Sequence, residues 1–112
     1  QTFSFHKPRT ERAKTFLEDV LASTGKTKIS EIDSPAGIVH AYDLTWLVAK
    51  ALASTGRVDR ALLRDAMERL GSHDGVVRRY ESPFTPDRHD ALSAQDVFFA
   101  RYHAQSGLTP EE

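Results

Sequence analysis

The chain has 112 residues, a hydrophobic fraction of 39%, a formal net charge of -1 and no cysteine. That length is one domain or a piece of one, and the near-zero charge supplies no general attraction to nucleic acid or to an anionic membrane. Without cysteine, disulfides, thiolate metal sites and thiol catalysis are excluded, and no apolar run approaches the roughly 18 residues of a membrane span.

Taken in chain order, Thr2 to Phe5 is a short apolar, β-prone run closed by Pro8, and it predicts a brief strand. Beginning at Gln1 with no Met, the chain reads as processed, trimmed or truncated. From Pro8 the period changes. Ala13, Phe16, Leu17, Val20 and Leu21 fall at helical spacing, with Gly25 placed to stop the helix. Lys26 to Asp33 is polar with two isolated isoleucines and predicts a loop.

Ser34-Pro35 opens a second helix, with Ser34 as cap and Pro35 in the first position. It runs to Gly56 and is apolar nearly all round, with only Asp43 and Lys50 charged inside it. Such a helix has to be covered on more than one side. A third helix starts after Asp59, with Val58 and Leu63 spaced as a hydrophobic staple, and stops before Gly71. From Gly75 the period becomes two: Val76 to Tyr80 predicts a strand, Val97 to Tyr102 a second, and the tail after Gly107 frayed ends. The expected order is strand, three helices, two strands, an α-rich α/β chain.

Chemistry is sparse. His6, His40, His73, His89 and His103 are scattered, with no pair at ligand spacing, so neither a metal nor another cofactor is expected. His73-Asp74 and His89-Asp90 are adjacent in turns rather than placed as dyads. No serine lies in a G-x-S-x-G elbow, so no enzyme is expected. The second and third helices have the outline of a helix-turn-helix carrying Arg57, Arg60, Arg64 and Arg69. Asp59, Asp65 and Glu68 interrupt that charge, and Arg64 can pair with Glu68 on the surface. Ser34, Pro35, Ala36 and Gly37 bring free amides and a positive dipole end to an unobstructed helix start. This is a place for a carboxylate or polar ligand group, or simply a close packing contact.

The segments HAYD at His40 to Asp43, DRALLRDA at Asp59 to Ala66, GVVRRY at Gly75 to Tyr80, FTPDRHDAL at Phe84 to Leu92 and DVFFARY at Asp96 to Tyr102 occur in an order and spacing that resembles the C-terminal portion of a type 1 periplasmic substrate-binding protein. The likeness is to the receptors of ABC transporters for branched-chain amino acids or amides, and it covers nearly the whole chain. It implies a fragment of a two-lobe α/β fold: residues 1-74 in the first lobe, as a hinge strand plus three helices, and 75-112 as the hinge return and closing strands of the second. It further implies a periplasmic location and partners in a small-molecule solute, a membrane permease and the remainder of the receptor or a second copy of this chain, with no nucleic acid. An isolated piece of this kind is expected to associate as a dimer. Carried over residue by residue, the resemblance places Ala36, Gly37 and His40 toward the bound solute. Relatives that hold branched aliphatic side chains tend to carry a bulky aromatic near the position of Gly37, so the glycine implies a larger or aromatic solute. The alternative reading is a helical interaction or DNA-binding module.

Overall fold

The computed structural model describes residues 1–111. It is a small mixed domain of three helices and two separate two-stranded antiparallel sheets. Helix α1 spans Glu11–Thr24, α2 Pro35–Thr55 and α3 Arg60–Met67. Strands β1 (Ser72–Asp74) and β2 (Arg79–Glu81) form one hairpin, and β3 (Ala100–His103) and β4 (Gly107–Pro110) form the other.

The helix signals in the sequence act mostly as expected. Gly25 and Gly56 take the left-handed conformation that ends α1 and α2. The Asp59 side chain accepts from the Leu62 amide and starts α3. Helix α3 ends at Met67, short of the expected stop at Gly71, and three further details differ. Helix α1 begins after Thr10, whose hydroxyl accepts from Ala13 N, so Pro8 lies ahead of the helix rather than in its first turn. Ser34 makes no capping bond, although Pro35 does take the first position of α2. Val58 is 93% exposed, so the staple with Leu63 is not closed.

The strands depart further. Thr2 to Phe5 is not a strand: it joins neither sheet, and Phe3, Ser4 and Phe5 are buried in succession. The segment is held across the chain instead. Gln1 and Phe98 exchange backbone hydrogen bonds of 2.8 Å in both directions, Ser4 Oγ donates to the Leu108 carbonyl at 2.6 Å, and His6 Nε2 donates to Ser106 O. The run Val76 to Tyr80 splits: Gly75 to Arg78 is the loop of the first hairpin, closed by Gly75 N to Arg78 O, and only Arg79–Glu81 is extended. Both valines lie fully buried in that loop. In the second hairpin the strand covers only the end of Val97 to Tyr102. Its partner is Gly107–Pro110, the tail expected to fray. Gly107, at φ +77, lies against Ser30 of the short 3₁₀ turn Ile29–Glu31, which is what holds the tail down.

The core is one cluster of Phe3, Phe5, Ala13, Val20, Ile32, Val39, Val76, Val77 and Tyr80, with Phe3 and Phe5 edge to face at 4.9 Å. Helix α2 crosses it and also packs on α3, yet Leu44 and Trp46 remain about half exposed on its outer side.

Candidate functional site

Four consecutive small residues at the opening of α2 determine its geometry. Pro35 has no amide, and the amide of Ile38 bonds to the Ser34 carbonyl at 3.0 Å. With Ser34 not capping, the amides of Ala36 and Gly37 are left for an incoming acceptor at the positive end of a 21-residue helix. Ala36 lines a cavity of about 170 Å³ together with Gln1, Asp33, Ser34, Tyr102 and Leu108. Three distant stretches therefore meet at this helix end: the chain start, the loop before α2, and the second hairpin.

The three expected residues are not equivalent there. Ala36 is in the cavity wall. Gly37 is exposed, and a Cβ on it would stand 2.6 Å from Ser34 Oγ, so any side chain at this position would displace that hydroxyl. His40 sits one turn on, half-buried, with Nε2 2.7 Å from Thr2 Oγ1. The histidine thus ties the helix to the first segment rather than facing the cavity.

Two charged groups that carried no role in the sequence organise the surroundings. Asp43, 1% exposed, accepts hydrogen bonds from Val76 N at 2.7 Å, Val77 N at 2.9 Å and Tyr80 Oη at 3.0 Å. Successive amides of one loop thereby cradle a carboxylate, a concave anion site filled from within the chain. Burial, followed by the charge of Asp43 and its hydrogen bond, pushes the Tyr80 phenol well above the usual tyrosine range. A single Asp on an otherwise apolar helix was the available signal; its partner loop was read as a strand. Asp96 is the second group. It joins Arg9 at 3.0 Å, Arg78 at 2.8 Å and the Ser93 amide at 2.8 Å. Burial alone would raise this carboxyl, but the Ser93 hydrogen bonds and the two guanidiniums outweigh it and hold it below the usual range.

The remaining titratable groups are occupied locally. His73 stacks on Tyr80, and burial lowers its basicity. His89 Nε2 meets Glu68 at 3.0 Å rather than Asp90. Arg64 therefore pairs with Asp65 at 2.6 Å, not with Glu68, and Arg57 lies 3.7 Å from Asp59. Among the described residues, no group of three or more His, Asp or Glu is arranged to hold a metal ion, and no helix is long and apolar enough to cross a membrane. No protein-family model, curated protein or solved structure matches the chain.

Proposed function

We propose that this chain is the C-terminal part of the solute-binding component of an ABC importer. It contributes one wall of a cleft that closes on an amino acid-like solute and delivers it to a membrane permease in the cell envelope. Beyond the motif resemblance, the observation that carries this reading is the opening of α2. Two uncapped amides, at Ala36 and Gly37, stand at this helix start, and Ala36 lines a cavity walled by the chain start and the closing hairpin. A carboxylate entering there gains two charge-assisted hydrogen bonds and the helix dipole.

Surface area supports the incompleteness of the unit. The chain exposes 7340 Å², whereas a folded monomer of its mass exposes roughly 6,200 Å². The surplus, on the order of 1,100 Å², is comparable to what one side of a sizeable interface covers. Leu44 and Trp46 on α2, and Val97, Phe99 and Tyr102 beside the second hairpin, are the apolar part of it.

The test is a titration of the isotope-labelled chain with a panel of L-amino acids, including L-phenylalanine, followed by amide chemical shifts. One wall of a cleft binds weakly, so the expected result is dose-dependent displacement confined to the region of Ala36, Gly37 and His40. Absence of any response across the panel, with duplex DNA instead moving the amides of α3, would overturn the reading in favour of the DNA-binding alternative.

A further inference from the structure

We infer that the cleft between the C-terminal half of α2 and the face of α3 is a second binding site, for a small organic anion with an apolar body. It is independent of the reading above and lies at the opposite end of α2, about 21 Å along the axis from Ala36 to Lys50. The cleft encloses about 470 Å³, within the range of roughly 300–1,000 Å³ for small-ligand sites.

Its lining is asymmetric. Leu62, Ala66 and Leu70 form an apolar wall on the α3 side, and Lys50 and Arg69 stand over it. No acidic side chain lines the cleft. Arg57 and Arg64 have carboxylate partners in Asp59 and Asp65, whereas Arg69 has none among the described residues. Lys50 spends one donor on the Ser72 carbonyl at 2.6 Å and keeps its other two. One turn on from Lys50 along α2, the Ser54 hydroxyl donates back to the Ala51 carbonyl at 2.7 Å. Its proton is thus taken, and the cations are the donors left for a ligand. Two cations beside an apolar wall, with no acidic side chain in the lining, match a carboxylate attached to an aliphatic or aromatic group.

The experiment uses octanoate as probe, with octylammonium and inorganic sulfate as controls, read by amide shifts and calorimetry on the intact chain. Octanoate is expected to move the amides of Ser54, Arg69 and Leu70, octylammonium to leave them still, and sulfate to bind more weakly. Arg69→Gln, at an exposed position, is expected to leave the melting temperature unmoved and to weaken octanoate roughly tenfold. Lys50→Gln is expected to weaken it in the same direction. Equal binding of octylammonium, sulfate as tight as octanoate, an unchanged affinity in Arg69→Gln, or shifts centred on Ala36 to His40 would each overturn the assignment.

Discussion

Asp43 ties α2 to the first hairpin, because its three hydrogen bonds are all buried and all leave the helix. Replacing it by alanine strands two backbone amides away from water, each costing about 1–3 kcal/mol. Asp43→Ala is therefore expected to destabilise by about 3 kcal/mol or more in urea unfolding. Tyr80 gives the same network a pH signature. Its ionisation is suppressed in the folded state, so the stability it contributes is complete below about pH 10, the ordinary tyrosine value, and is lost as pH rises beyond it. Tyr80→Phe should show a shallower alkaline loss of stability than the parent, at some cost in stability at neutral pH. An unchanged alkaline slope would mean that Tyr80 is not the group responsible.

At the scale of elements, the first hairpin shows why a loop can be harder to alter than a helix end. Gly56 has φ +70 and nothing within 4 Å of a would-be Cβ, so Gly56→Ala carries only the left-handed backbone penalty, about 1 kcal/mol. Gly75 has no positive φ, yet a Cβ there would stand 2.5 Å from Asp43 Oδ2 and 2.6 Å from Tyr80 Cε2. Gly75→Ala is expected to cost about 1–3 kcal/mol and to exceed Gly56→Ala in the same thermal unfolding experiment. The reverse order would show that the loop yields. The contrast also marks what the sequence makes legible. Asp59, Gly25 and Gly56 act locally, and they placed the start of α3 and the ends of α1 and α2, whereas α3 stops at Met67, ahead of Gly71. The strands depend on partners far along the chain. Val76-Val77 has the composition of a strand, but a buried carboxylate 33 residues earlier claims its amides and bends it into a loop. The position of Ala36 at a helix start was likewise legible locally, whereas the bond from His40 to Thr2 spans 38 residues and left no local trace.

For the whole molecule, shape and surface point the same way. The radius of gyration is 15.6 Å, against about 13 Å for a compact domain of this length. Elongation and surplus area together leave apolar side chains that water solvates poorly. Light scattering on the isolated chain is therefore expected to give a concentration-dependent mass above that of the monomer. Trp46→Glu combined with Leu44→Glu should return it toward the monomer without loss of helical signal, since neither residue is buried in the core. A parent chain that stays monomeric at high concentration would remove self-association as the way the surplus surface is covered.

The bonds joining Gln1 to Phe98, Ser4 to Leu108 and His6 to Ser106 also order events in time. During synthesis Gln1, Ser4 and His6 meet these partners only after roughly a hundred further residues have been added, a wait of roughly 5–20 s at ordinary synthesis rates. Until then the opening segment lacks the hydrogen-bond partners that hold it in place, while α1, α2 and α3 can form from local contacts. Docking of the opening segment is thus the late and slow step of maturation, and the interval before it is when the nascent chain is most exposed to capture by chaperones or by its own neighbours on the same message.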